Sequence, residues 1–177
     1  MSSKVASFPG TEISVQELRA GRYLLTKHLA DLKYAWSTGE AISRFLGGLR
    51  QGEIWGRRCR RCGRTMVPPR MYCEVCFRPT DQWIRLRDTG SVVTYSISYV
   101  NADASRREAG EPILVSVIEI DGATPMMGVL HLLGEVDPDE VSVGMKVEAV
   151  WRPKGERKGA ITDIKYFRPS RGRPHQK

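Results

Sequence analysis

All four cysteines of the chain fall in one stretch of twenty residues, RRCRRCGRTMVPPRMYCEVC, from Arg57 to Cys76. They are paired as Cys59-x-x-Cys62 and Cys73-x-x-Cys76, with ten residues between the pairs. Two such knuckles joined by a short linker are the spacing of a zinc ribbon. Each knuckle is a tight turn that presents two thiolates to one side. Two turns facing each other complete a tetrahedron with Zn–S distances near ~2.3 Å. Gly63 follows the second cysteine of the first pair and supplies the positive φ such a turn favours. The other pairings fit less well. Two disulfides need an oxidising compartment, and a redox motif needs only one pair beside a βαβ pattern. A zinc held by Cys59, Cys62, Cys73 and Cys76, or an iron in its place, has no open position. It is therefore structural, and it leaves no thiol to act as a nucleophile.

Charge is the second chemical signal. Lys and Arg number 28 against 20 Asp and Glu, a formal charge of +8. Arg57, Arg58, Arg60, Arg61, Arg64 and Arg70 cluster around the knuckles with no acid among residues 57–70. Arg168, Arg171, Arg173 and Lys177 do the same at the end of the chain. These ten charges leave the rest of the chain at −2, so the positive potential is local. It suits nucleic acid, a phosphate-bearing cofactor or an acidic protein face, or simply a solvated surface.

No G-x-S-x-G, H-E-x-x-H or P-loop occurs. His28, His131 and His175 are scattered, and His131 between Leu130 and Leu132 reads as a hydrogen-bonded structural histidine. Asp137-Pro-Asp139-Glu140 reads as an acidic loop. No nucleophile–base pair is visible, so an independent enzyme is the least supported class.

The elements that must hold these groups are legible in part. Residues 1–12 read as disordered, and Tyr23 to Trp36 gives no clear period. Ser14-x-x-Glu17 is a capping box with Gly21 as a stop. Ser37-x-x-Glu40 is a second, ahead of Ala41, Ile42, Phe45, Leu46 and Leu49 at helical spacing. These predict an amphipathic helix over about 38–50, packed on the ribbon, on the following domain or against a partner. Pro68-Pro69 stiffens the knuckle linker.

From Gly90 the period becomes two, with Val93, Tyr95, Ile97 and Tyr99 on one face. PILVSVIEI, ATPMMGVLHLL, MKVEAVWRP and AITDIKYFRP follow as further strands. Asp121-Gly122 is expected to make a hairpin turn, and Gly128 a bend or bulge. Five short strands in so little chain fit a small barrel of the OB type.

The fold class is thus mainly β with a small α-helical N-terminus, a zinc ribbon and then an OB-fold barrel. The expected divisions are an N-terminal extension over 1–52, the ribbon over 53–84, the barrel over 85–169 and a basic tail over 170–177. MSSKVASFPG lacks an apolar signal core and no run is long enough to span a membrane, which favours the cytoplasm. Two binding classes remain open. One is a single-stranded nucleic acid, with Tyr95, Tyr99, Trp151, Tyr166 and Phe167 as stacking platforms unless they are core. The other is an accessory protein for an enzyme or a thioester cofactor.

The order of parts carries a resemblance. YAWSTGEAISRFLGGLRQGEIWGRRCRRCGRTMVPPRMYCEVC, then WIRLRDTGSVVTYSI and VSVGMKVEAVW, resemble the DUF35 family over roughly residues 34–168. The C-x-x-C-G, V-P-P-R and C-x-x-C elements are the most specific, and YAWSTG resembles the archaeal members. The resemblance implies a rubredoxin-like zinc ribbon joined to an OB fold. It also implies a non-catalytic partner of thiolase-fold enzymes, of the acetoacetyl-CoA thiolase or hydroxymethylglutaryl-CoA synthase type. Such a subunit would assemble the enzyme or help bind its CoA thioester. Arg64 and Arg70, beside the restricted Pro-Pro backbone, are the candidates to meet CoA phosphates or the partner.

Overall fold

The protein is seen in a computed structural model that describes residues 13–23, 36–101, 105–107 and 112–170. The chain divides into two units, Met1–Trp36 and Ser37–Lys177. The readings made for residues 1–12, for most of Tyr23–Trp36 and for the tail beyond Ser170 lie outside the described residues.

In the first unit, α1 (Val15–Arg19) starts where the capping signal places it. The Glu17 N–H donates to Ser14 Oγ at 3.2 Å, and the Ser14 N–H donates back to the Glu17 carboxylate at 3.0 Å. Gly21 follows with φ +69°.

In the second unit, α2 spans Gly39–Gln51 and ends on Gly52 at φ +81°. The box expected at Ser37-x-x-Glu40 does not form. Thr38 takes the N-cap place without a side-chain cap bond, and the Glu40 carboxylate is drawn instead to Arg57 at 3.2 Å. Ala41, Phe45 and Leu49 recur every four residues, and all three are buried. Phe45 and Leu49 join a core shared with both following parts. Burying two such side chains stabilises the helix by roughly 1.5–3 kcal/mol each.

The ribbon is a three-stranded sheet in the order β2 (Thr65–Met66), β1 (Ile54–Arg58), β5 (Gln82–Leu86), with a two-stranded hairpin of β3 (Tyr72–Cys73) and β4 (Arg78–Pro79). The Val67–Pro68 peptide is cis. Arg44 of α2 stacks on both Trp55 and Trp83, at 4.9 and 4.6 Å from the ring centres. Helix and ribbon are thereby tied through cation–π contacts as well as apolar packing.

The barrel strands are β6 (Thr89–Ser98), β7 (Ile113–Ile120), β8 (Gly128–Leu132), β9 (Lys146–Trp151) and β10 (Ile164–Pro169). Their order is β10-β9-β6-β7-β8, and a parallel bridge from Leu133 to Phe167 brings the two edges together. This is OB wiring, a partly open five-stranded Greek-key barrel. The protein is therefore mainly β, a ribbon followed by an OB fold, as the sequence predicts.

Three local expectations change. The bulge lies at Val93 of β6, where the register with β7 shifts between Val92 and Thr94. Val92, not Val93, is buried, so the simple alternation from Val93 onward does not hold across the bulge. Gly128 makes no bulge. A Cβ there would strike the Ile118 carbonyl, so this glycine permits close approach of β8 to β7. Asp121-Gly122 opens a longer connection, since β8 begins only at Gly128. That loop reaches the ribbon: the Thr124 N–H donates to the Thr65 carbonyl at 2.9 Å, and the Thr65 N–H to Thr124 Oγ1 at 2.8 Å.

Candidate metal centre

The two knuckles are built alike. In the first, the Gly63 N–H donates to the Cys59 carbonyl at 2.8 Å, and the Cys59 N–H to the Arg64 carbonyl at 2.9 Å. In the second, the Phe77 N–H donates to the Cys73 carbonyl at 2.9 Å. Gly63 has φ +74°, and Phe77 occupies the equivalent place with φ +48°. These turns bring the four Sγ atoms within 4.8 Å of one another, with Cys62 and Cys73 at 3.6 Å. The edge of a tetrahedron with Zn–S bonds near ~2.3 Å is about 3.8 Å, so the four thiols fit a zinc ion. Cys59 and Cys73 are buried, Cys76 is half-buried and Cys62 is exposed.

The electrostatics favour thiolate on one side of the cluster. The Cys62 N–H above all, with the Arg61 N–H and the neighbouring thiols, holds the Cys59 thiol down to about 7 against its desolvation. Cys76 is pushed up to about 12, first by desolvation and then by hydrogen bonding to Cys62, Cys59 and Cys73. Four thiols this close cannot all ionise without a cation, and a divalent metal supplies the missing charge.

The sequence candidates Arg64 and Arg70 meet on one carboxylate. Arg64 Nε donates to Glu74 at 2.8 Å, and Arg70 lies 3.9 Å from its other oxygen. Glu74 is held below the usual carboxylate range by its own backbone N–H first, then by Arg64 and Arg70, against some desolvation. Arg57 spans Glu40 and the Thr80 carbonyl. Arg78 pairs with Asp81, and Arg58 donates to the Gly63 carbonyl. Arg60 and Arg61 have no side-chain acceptor among the described residues.

The other candidates separate. Phe167 is fully buried and belongs to the core, so it is no stacking platform. Trp151 donates to Asp88 at 3.3 Å and lies under Arg157. Tyr166 donates to Glu135. Tyr95 and Tyr99 are exposed, not core. His131 is buried; its Nδ1 accepts from the Leu132 N–H at 2.9 Å, so Nε2 carries the proton donated to the Ile161 carbonyl at 3.2 Å. That is the structural role expected of it. Asp137 caps a short 3-10 turn, Pro138–Glu140, as a loop residue should.

Two features escaped sequence reasoning. One is Phe77, where matching Cys73-x-x-Cys76-Phe77 against Cys59-x-x-Cys62-Gly63 would have flagged the missing glycine. The other is Asp163, which is buried and accepts backbone N–H groups from Lys158, Gly159 and Ala160 at 2.7–3.1 Å. It shapes the β9–β10 connection beside a cleft of about 380 Å³ lined also by Arg152, Glu156, Lys158 and Thr162.

Comparison with known proteins agrees with this anatomy. Residues 47–81 match the family described as the ChsH2 rubredoxin-like zinc ribbon domain, and residues 83–152 match the ChsH2 C-terminal OB-fold domain. The chain is 33% identical over 117 residues to a DUF35 domain-containing scaffold protein of Methanocaldococcus jannaschii, covering 64% of this chain and 79% of that one. A protein of the same description from Methanothermobacter thermautotrophicus is 27% identical over 99 residues, 56% of this chain and 71% of its own. Among solved structures, a DUF35-family protein of unknown function from Sulfolobus solfataricus superposes with TM-score 0.51 at 28% identity, over 64% of this chain and 77% of that one. The Ltp2-ChsH2(DUF35) aldolase superposes with TM-score 0.54 at 20% identity, over 76% and 98%, which shows the shared fold. A ribbon of four clustered thiols welded to a five-stranded OB barrel, with these relatives, places the chain in the DUF35 family.

Proposed function

We propose that this chain is a non-catalytic accessory subunit that pairs with a thiolase-fold enzyme of acyl-CoA metabolism, of the acetoacetyl-CoA thiolase or hydroxymethylglutaryl-CoA synthase type. It assembles that enzyme or helps bind its CoA thioester. Cys59, Cys62, Cys73 and Cys76 hold a structural zinc that keeps the ribbon rigid. Arg64 and Arg70, which share Glu74, are the residues assigned in this reading to an anionic group of CoA or of the partner. The relatives named scaffold proteins, and the solved aldolase that contains a DUF35 chain, support an enzyme partner.

The observation that carries this reading is the outer face of β6, β7 and β8. Thr94 and Ser96 lie beside Val117 and Val115, which pair with Leu130 and Leu132. Leu130 is 66% exposed and Leu132 43%. Strands 2 and 3 of an OB fold, here β7 and β8, form the face that grips oligonucleotides, with cations and aromatic platforms. This stretch is aliphatic and hydroxylic, and the charged residue of β7 on the same face, Glu119, is an acid, which suits a protein surface and not a phosphate backbone. The exposed Tyr95 and Tyr99 are what remains to favour single-stranded nucleic acid.

The test is purification of the chain from its own host under native conditions. Recovery of a thiolase-fold protein, with thioester turnover lost when this chain is removed, is the expected result. Tight oligonucleotide binding with a steep salt dependence and no effect of CoA would overturn it. Elemental analysis of the same material should give about one zinc per chain.

A further inference from the structure

The second knuckle carries, at the left-handed place its turn requires, a residue type that the turn does not call for. Phe77 sits at φ +48°, a left-handed conformation that residues with a Cβ rarely adopt and that Gly63 fills in the first knuckle. Its ring is 89% exposed, more than any other large apolar side chain described. Val75 and Tyr72, on the same β3–β4 hairpin, are 56% and 66% exposed. The chain thus holds a bulky aromatic in a disfavoured backbone region and gives it nothing to pack on. Backbone outliers of this kind cluster where a residue is held ready for a ligand.

The surroundings say what kind of ligand. The opposite knuckle flanks the same four thiols and carries Arg60 and Arg61, whose side chains have no acceptor among the described residues. Residues 58–81 hold six arginines against two acids, Glu74 and Asp81, and these acids pair with Arg64, Arg70 and Arg78. Two negative charges from a zinc tetrathiolate would still leave this tip positive. An apolar centre of aromatic and aliphatic side chains with an arginine rim is the composition of a protein–protein hot spot. We infer that the ribbon tip, with Phe77, Val75 and Tyr72 as apolar anchors and Arg60 and Arg61 as flanking cations, docks onto an acidic, apolar-pocketed surface of a partner protein. This rests on the accessory-subunit reading and names the surface that serves it. Nucleic acid is disfavoured because the barrel face, aliphatic with Glu119 at its end, offers no continuation for a strand.

The experiment uses the full-length, metal-loaded chain produced in its own host, with the photo-crosslinker benzoylphenylalanine at Val75 or, separately, at Leu130. Linked peptides are identified by mass spectrometry. The expected result is a link from position 75 to an acidic segment of a partner protein. Its yield should fall at least fivefold in Phe77→Gly and in an R60E/R61E double variant. Phe77→Gly should melt no lower than the parent, because glycine accepts the left-handed backbone; a lower yield in a fully folded variant isolates the docking role. The inference is overturned by links from position 130 alone, by a link to nucleic acid or within the chain, by no link from position 75, or by a yield that neither variant lowers. If position 75 links to an acidic surface of some other enzyme, the docking surface stands and the thiolase-fold assignment falls.

Discussion

Cys59 and Cys76 are pushed in opposite directions, the first mainly by the Cys62 N–H and the second mainly by desolvation. One thiol is lowered to about 7 and its neighbour raised to about 12 within one cluster. Replacing Cys59 or Cys73 by Ser removes a buried ligand, and zinc content should fall from about one per chain to near zero by elemental analysis. Asp163 makes a separate test. Burial raises its pKa, but N–H groups from Lys158, Ala160 and Gly159 and the Arg157 charge more than reverse this, so the net shift is downward. A folded-state value below the unfolded one stabilises the protein above the unfolded carboxylate pKa, near ~4, and that contribution is lost as pH falls through the folded value. Asp163→Asn should cost about 2–4 kcal/mol at neutral pH. In urea titrations from pH 7 down to pH 3, the gap between variant and parent should narrow. The cysteines were legible because ligand spacing is local. The Asp163 cage was not, because its partners are backbone groups that any sequence carries.

Elements sort in the same way. Helix α2 was legible within about a residue, since Phe45 and Leu49 obey the helical period, but its cap was not. Glu40 found a guanidinium 17 positions away, an option that a local motif does not encode. The barrel strands were legible as a period of two, yet the Val93 bulge inverted the start of β6. A bulge is a tertiary accommodation to strand coiling and has no fixed residue signature. Leu49 is fully buried between helix, ribbon and barrel, so Leu49→Ala should lower stability by about 2–5 kcal/mol in thermal unfolding. Chelation should act elsewhere. Amide exchange should accelerate first in residues 59–63 and 73–77, where the turns are closed by only one or two backbone bonds, while the ladders of β6 and β7 stay protected.

At the scale of the whole molecule, ribbon and barrel are not beads on a string. Thr65 and Thr124 exchange hydrogen bonds across the joint, and Met127 touches both the thiol cluster and the main core. Phe45, Leu49, Ile54 and Val67 lie in one cluster with Ile118, Val147 and Phe167. A truncated gene that starts at β6 would strip the apolar cover from those barrel residues. Its product should be recovered in inclusion bodies, whereas a version beginning at Ser37 keeps the cover and should remain in the supernatant. Engineers wishing to borrow the barrel as a fusion tag would have to take the metal-binding hairpins with it.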